Sequence, residues 1–396
     1  MVENIVIIGA GHAGGAAAIS LRELGFSGSI RVIGDEAEPP YERPTLSKEF
    51  LSGADASPVY LANEDRWSEL KVTLTLGVSA QAIDRDARRV TLSDGSQVSY
   101  DRLVLATGGR ARRLDAPDYP RIHHLRTIED ARTLAAAARP GARAVIVGGG
   151  VIGLETASTL VGLGLSATVL EAGERLLGRN TPADAAAWIA EAHARIGVEI
   201  HLGRSLKTVT ERPGGLTVGL DDGTTLDADL MVVGIGIIPC VELAEAAGLP
   251  TAAGVLVDAD YRSLGDPDVF AIGDLALRVF GDAPAPRRME TWAHAQTSAR
   301  AAALAILGQP GELEPTPWFW TAQCGHMLQI AGDPSVADSV VARGDGVRLY
   351  LRAGTLVGAA CLDQPRDFGT ARRLIGKALT PETAADPRAD LRKAAA

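Results

Sequence analysis

The chain has 396 residues, 46% of them hydrophobic and 22% charged, with a formal net charge of −10. This length accommodates two to three domains with sizeable cores, and the acidic balance argues against nucleic acid or an anionic membrane as partner, since those surfaces demand clustered cations. Three scattered cysteines, Cys240, Cys324 and Cys361, form no CxxC or CxxxxC, so a disulfide framework, a metal site and a redox dithiol are disfavoured, and buried free thiols in a reducing cytoplasm are expected.

The N-terminus shows no charged region followed by a long apolar run and a cleavage site, and its Ile5-Val6-Ile7-Ile8 run stops at Gly9. The apolar stretch 230–241 is interrupted by Gly234, Gly236 and Pro239 and is too short to span a bilayer. A cytoplasmic protein is predicted.

In chain order, Asn4-Ile5-Val6-Ile7-Ile8 predicts a strand, Gly9-Ala10-Gly11-His12-Ala13-Gly14 opens an Ala-rich helix reaching residue 24, and 29–33 predicts a second strand. Strand 90–92 leads into a turn at 93–96, and Leu103-Val104-Leu105 reads as a buried strand ending in Ala106-Thr107-Gly108-Gly109. The pattern then repeats. Ala144-Val145-Ile146-Val147 precedes Gly148-Gly149-Gly150-Val151-Ile152-Gly153, a helix reaching 163 and a strand at 166–170; a hairpin near 217–224 and a buried strand at 230–233 follow. Short β-branched runs alternating with helices indicate buried parallel strands in βαβ units. Asp268-Val269-Phe270-Ala271-Ile272-Gly273-Asp274 predicts a strand ending in an acid, 293–307 a helix and 308–317 a linker. From Trp318 the pattern becomes alternating, with strands at 328–331, 339–343, 347–351 and 356–359 and a helix near 370–379; the tail beyond Pro381 is expected to be weakly ordered.

A lone GxGxxG is a weak signal, but each copy here follows a strand, opens a helix and is followed some twenty residues later by an acid at the end of the next strand. The first glycine permits the tight turn, the second lets a pyrophosphate approach the backbone, and the third lets helix and strand pack closely. Pyrophosphate then sits on the helix N-terminus. The acids are Asp35 and Glu171, each expected on an adenosine ribose, and a carboxylate at 171 repels a 2′-phosphate, so NADH is expected over NADPH.

Tyr41-Glu42-Arg43-Pro44-Thr45-Leu46-Ser47-Lys48, Leu105-Ala106-Thr107-Gly108-Gly109, Val269-Phe270-Ala271-Ile272-Gly273-Asp274, Met289-Glu290-Thr291-Trp292, Pro317-Trp318-Phe319-Trp320 and Asp390-Leu391-Arg392-Lys393 together resemble the FAD/NAD ferredoxin reductases that serve bacterial Rieske aromatic-ring dioxygenases and cytochromes P450. The resemblance covers nearly the whole chain. It implies an α/β fold with two Rossmann-like dinucleotide-binding domains of the glutathione-reductase type and a C-terminal α+β domain. The expected boundaries are 1–110 with 239–315 for FAD, 111–238 for NAD(H), and 316–396 for the interface domain. It also implies FAD in the first loop, at Gly9, Gly11, Ala13 and Gly14, with Asp35, Arg43, Lys48, Ala80, Ala106, Thr107, Gly108 and Arg126 around it. Gly273 and Asp274 would take the ribityl chain, with Glu290, Thr291, Trp292 and Trp320 at the flavin's edge. Gly148, Gly150, Val151, Ile152, Gly153, Glu171, Ile235 and Gly236 would line the NAD(H) path.

Hydride transfer asks the protein for position and electrostatics while the flavin supplies the reactivity. Lys48 is the expected cation near flavin N5 and Glu155 its partner, the two catalytic candidates; the plainer readings are a solvated lysine and a helix N-terminal acid. The plainer readings of Asp274 and Trp320 are a helix N-cap and core filling, and His12 is expected to be incidental to catalysis. Disulfide reductases of this fold carry CxxxxC, thioredoxin reductases CxxC, and NADH peroxidases a cysteine near 44–47; this chain has none of these. That leaves an external acceptor; the resemblance implies a [2Fe–2S] ferredoxin of the Rieske type, with Arg287-Arg288, Arg372-Arg373 and Arg392-Lys393 as candidate docking patches. An oxygen- or quinone-reducing NADH oxidase, or a redox interaction protein of the apoptosis-inducing-factor type, is the alternative.

Overall fold

The computed structural model describes residues 2–53, 57–117, 119–179, 181–279, 288–313 and 315–394. The chain divides into two compact units. One comprises Met1–Pro44, Pro58–Arg110 and Ile237–Pro315, the other Thr45–Ser57, Ala111–Gly236 and Thr316–Ala396. Residues 45–57 and 316–396 cluster with the second Rossmann fold. Leu51, Leu328 and Tyr350 share one buried core with Ile146, Leu154 and Val169.

The first unit is built on parallel strands in the order Val72–Leu76, Ser29–Gly34, Asn4–Ile8, Arg102–Leu105, Asp266–Ala271, within an eight-stranded sheet. Ile5, Val6, Ile7 and Ile8 are all buried, without alternation, as a strand covered on both faces requires. The order reverses beside Asn4–Ile8, the topological switch where such sheets bind ligands at the carboxyl ends of their strands. Helix His12–Glu23 packs on helix Trp292–Ile306, and both faces are rich in buried alanine. Strands Ala80–Asp84, Arg89–Leu92 and Gln97–Ser99 make a small antiparallel sheet.

The second unit repeats the plan. Strands Glu199–Leu202, Ser166–Glu171, Arg143–Val147, Leu230–Val233 and Ile122–His124 form a wholly parallel sheet with the same reversal, and Leu206–Arg212, Gly215–Leu220 and Thr225–Ala228 form the antiparallel insertion. The C-terminal segment adds a five-stranded antiparallel sheet in the order Trp318–Gln323, His326–Gly332, Thr355–Leu362, Val347–Arg352, Ser339–Ala342. The α/β class, the duplicated βαβ plan and the C-terminal α+β segment are as expected.

Three local expectations are corrected. The helix sought at 370–379 is Pro365–Leu374: Pro365 occupies its first turn, and Phe368, Ala371 and Leu374 make the buried stripe. The tail beyond Pro381 carries short helices Pro381–Ala385 and Leu391–Ala394. It is held by the buried Arg343, whose guanidinium donates to the Ala389 carbonyl at 2.8 Å and the Pro387 carbonyl at 3.2 Å. Of the free thiols only Cys361 is buried; Cys240 and Cys324 are half-exposed. Among the described residues no helix is long and apolar enough to cross a membrane.

Candidate functional site

In the first unit, strand Asn4–Ile8 runs into Gly9, which takes φ +114°, and any side chain there would collide with the Ala106 carbonyl. This approach joins Gly9 to Ala106 and Thr107; the Thr107 hydroxyl donates to the Cys240 carbonyl at 2.8 Å, and the Gly108 carbonyl accepts from Cys240 N at 3.0 Å. Gly11 caps helix His12–Glu23 without a side-chain bond, leaving the first-turn amides for an anion. Gly14 lets the helix settle on the Gly9 carbonyl, and a Cβ on Gly273 would lie 2.8 Å from that of Ala13. The strand-end segments and the helix start thus converge.

Around them, Arg43 is ion-paired to Glu36 at 2.8 Å, and the Tyr41 hydroxyl donates to the same carboxylate at 2.6 Å. Arg288 joins Asp274 to Glu290, donating to the Asp274 carbonyl at 3.2 Å and pairing with Glu290 at 2.6 Å. Asp274 sits in a 3-10 turn, and the cap of helix Trp292–Ile306 is Thr291, whose hydroxyl accepts from His294 N at 3.1 Å. Thr291 therefore has a structural task of its own. Ala80 starts its strand two residues after Val78, whose amide donates to the Gly34 carbonyl at 3.0 Å, near the carboxyl end of Ser29–Gly34.

His12, expected to be incidental to catalysis, is buried in this cluster. Its ring lies 5.2 Å from that of Trp292, and Gln296 Nε2 donates to its Nε2 at 2.6 Å, so the proton stands on Nδ1. That buried Nδ1 has no hydrogen-bond partner among the described residues. Burial pushes the imidazole pKa down to about 4, Asp274 opposing and Arg43 assisting. A neutral ring with an orphaned N–H inside a glycine loop fits the acceptor oxygens of a dinucleotide. Replacing His12 by phenylalanine keeps the ring and removes the donor. FAD should then bind roughly tenfold or more weakly, the value of a hydrogen bond to a charged group. Titrating apoprotein with FAD and following fluorescence quenching measures this; an unchanged dissociation constant would remove His12 from the site.

The second loop repeats this geometry. Gly148 takes φ +109°, Gly150 caps helix Val151–Gly162 without a side-chain bond, Val151 and Ile152 form the first turn, and Gly153 lets the helix sit on the Gly148 carbonyl. Gly234 lies against Gly148, and after Ile235 the Gly236 carbonyl accepts from Arg112 N at 2.9 Å. Glu171 closes over the loop, accepting from Gly149 N and Gly173 N at 2.7 Å each.

One difference between the two copies is a matched pair of positions in loop and strand. Strand registers align Gly34 with Glu171 and Ala10 with Gly149. In the first copy the loop carries the methyl, and a Cβ on Gly34 would collide with Ala10. In the second the loop is bare and the strand carries the acid. The acid of the first copy is thus displaced to 35 or 36. Asp35 is exposed and accepts from Glu36 N at 3.1 Å, whereas Glu36 is the acid drawn in by Tyr41 and Arg43.

Lys48, Arg126 and Trp320 belong to the second unit. The Arg126 amide donates to Asp130 Oδ2 at 2.9 Å, beside the capping box of helix Ile128–Ala137. Trp320 stacks on Trp318, ring centroids 5.3 Å apart. Lys48 is 15% exposed in its side chain and pairs with Glu155 at 2.8 Å; Glu155 is 3% exposed. The plainer readings of both residues are thereby displaced: the lysine is largely withdrawn from solvent, and the acid lies inside the fold. Ser47 Oγ donates to Glu155 Oε2 at 2.5 Å and Thr321 Oγ1 to Oε1 at 2.8 Å. Ser47 and Thr321 had no local signal in the sequence.

Of the basic patches, Arg287 lies outside the described residues. Arg288 and Arg392 are ion-paired, the latter to Asp390 at 2.9 Å, and Arg372 lies 4.9 Å from the Trp318 ring centre. Arg373 and Lys393 are exposed.

Residues 3–299 match the family described as pyridine nucleotide-disulphide oxidoreductase, and residues 318–395 match a reductase C-terminal domain. Rhodocoxin reductase of Rhodococcus erythropolis is 39% identical over 99% of this chain and 94% of its own. The biphenyl dioxygenase system ferredoxin--NAD(+) reductase component of Paraburkholderia xenovorans is 38% identical over 95% and 94%. A crystal structure of the covalent putidaredoxin reductase–putidaredoxin complex superposes with a TM-score of 0.93 at 33% identity, covering 99% of this chain and 97% of that one. With both loops, both strand orders and the C-terminal sheet accounted for, the chain belongs to the pyridine nucleotide-disulphide oxidoreductase family and carries that family's reductase C-terminal domain.

Proposed function

We propose that the chain is an NADH-dependent ferredoxin reductase of the cytoplasm. It holds FAD on the first loop and NAD(H) on the second and passes electrons to a [2Fe–2S] ferredoxin, of the Rieske type, that serves an aromatic-ring dioxygenase or related oxygenase. The division into an FAD-binding part (1–110 and 239–315), an NAD-binding part (111–238) and an interface part (316–396) belongs to this reading. The observation that carries it is the pair of glycine loops, each opening a helix whose first amides lack a side-chain cap. Bound FAD would supply the conversion between a two-electron hydride donor and a one-electron acceptor.

The residues supply the rest. Gly9, Gly11 and His12 seat the diphosphate of FAD, and Arg43, Asp274 and Trp292 orient it. Gly148, Gly150 and Glu171 seat NADH, with the Glu171 carboxylate set against a 2′-phosphate. Lys48, aligned by Glu155, places positive charge where reduction of the flavin builds negative charge. No cysteine stands near the 44–47 stretch, which leaves an external acceptor.

Anaerobic stopped-flow mixing tests this. NADH should bleach the bound flavin at least tenfold faster than NADPH at equal concentration, and a [2Fe–2S] ferredoxin should reoxidise it faster than oxygen or a quinone. Faster reoxidation by oxygen or quinone would make the protein an oxidase or diaphorase instead.

A further inference from the structure

The bonds around Glu155 extend beyond its ion pair. Thr321 and Gln323 are two residues apart on strand Trp318–Gln323 and therefore share a face. Gln323 Nε2 donates to Thr321 Oγ1 at 2.8 Å, which commits the Thr321 proton to Glu155 Oε1 at 2.8 Å. The other end of the amide, Gln323 Oε1, meets Nε2 of His193 at 2.7 Å, on helix Ala183–Arg195. An amide oxygen only accepts, so His193 carries its proton on Nε2. The order His193, Gln323, Thr321, Glu155 is thus a one-way series of donations. All four are buried: His193 and Thr321 at 0%, Glu155 at 3% and Gln323 at 4% exposure.

This string is costly to keep. Each buried polar group must be matched, and apolar packing of the same shape is often as stable or more so. Its effect is geometric. Thr321 holds Oε1, and Oε2 accepts from Lys48 Nζ at 2.8 Å and from Ser47 Oγ at 2.5 Å. The Glu155 carboxylate cannot rotate without breaking the series. Two further bonds clamp the same junction: Thr159 Oγ1 donates to the Ser47 carbonyl at 2.7 Å, and Cys324 N donates to Ser158 Oγ at 2.8 Å.

We propose that Thr321, Gln323 and His193 are positioning residues that fix the rotation of the Glu155 carboxylate and so hold the Lys48 ammonium in one place. None of the three needs to touch a cofactor. The inference rests on the reading that Lys48 and Glu155 serve flavin reduction.

Two measurements test it. In protein labelled with ¹⁵N-histidine, His193 should show an Nε2–H tautomer with slow solvent exchange, and Gln323→Leu should abolish that protection. A His193 protonated on Nδ1, or exchanging freely, overturns the relay without reference to catalysis. In single-turnover reduction by NADH, the isosteric Thr321→Val should lower the limiting rate about tenfold while leaving the dissociation constant for NADH within about twofold, and Thr321→Ser should restore the rate. Equal rates in the valine, serine and parent proteins, or a valine defect in affinity alone, overturn the proposal. Lys48→Met and Glu155→Gln serve as the separate test of the underlying reading. If both reduce at the parent rate, the pair has no part in hydride transfer, whatever the histidine spectrum shows.

Discussion

Replacing Lys48 by methionine is expected to slow reduction of bound FAD by NADH about a hundredfold, the usual cost of removing one preorganised group aimed at developing charge. Methionine keeps the unbranched stem and discards only the ammonium, so the loss reports charge more than packing. The flavin should remain bound, because the residues assigned to its diphosphate, Gly9, Gly11 and His12, lie in the other compact unit. Stability should fall as well. Glu155 is 3% exposed and would keep its bonds from Ser47 and Thr321 while losing its cation, and leaving one member of a buried pair costs up to about 3–5 kcal/mol. Glu155→Gln is the complementary change. If the pair acts as a unit, the double variant should lose less than the product of the single losses. A parent-like limiting rate in Lys48→Met would assign the lysine to structure alone.

What was legible in the sequence was whatever local chemistry specifies. Both glycine loops, the buried strands behind them and the antiparallel insertions follow from short-range pattern, and each lies where the pattern put it. Lys48 and Glu155 could be named only through resemblance, since 107 residues separate them. Thr321 stands 166 residues from Glu155, and Gln323 130 from His193. A threonine and a glutamine on an alternating strand look like its solvent face. Their burial is decided by which sheet face meets helices Val151–Gly162 and Ala183–Arg195, a tertiary matter. Asp35 illustrates a subtler limit. The expected spacing from glycine loop to acid holds within a residue, but the exchange of Ala10 and Gly34 for Gly149 and Glu171 moves the acid of the first copy past the strand end. There Asp35 and Glu36 stand side by side, Asp35 exposed and Glu36 paired with Tyr41 and Arg43.

The matched loops also allow the cofactor assignment to be inverted or upheld by a single methyl group. Gly148→Ala is expected to weaken NADH binding at least a hundredfold while the purified protein stays yellow with a parent-like flavin content. At φ +109° an L-residue is strained by about 1–3 kcal/mol. The added Cβ would also stand 2.5 Å from the Gly234 carbonyl and 3.4 Å from Ile235, so the Gly234-Ile235-Gly236 turn must shift away from the loop it flanks. Gly9→Ala makes the mirror change, with φ +114° and a Cβ driven onto the Ala106 carbonyl. It should instead yield a colourless protein. Flavin-to-protein ratio and an NADH titration of each variant separate the two losses, because each glycine perturbs a loop within its own compact unit. If Gly148→Ala is the variant that loses its colour, the first loop is the nicotinamide site and the order of the two cofactors along the chain is reversed.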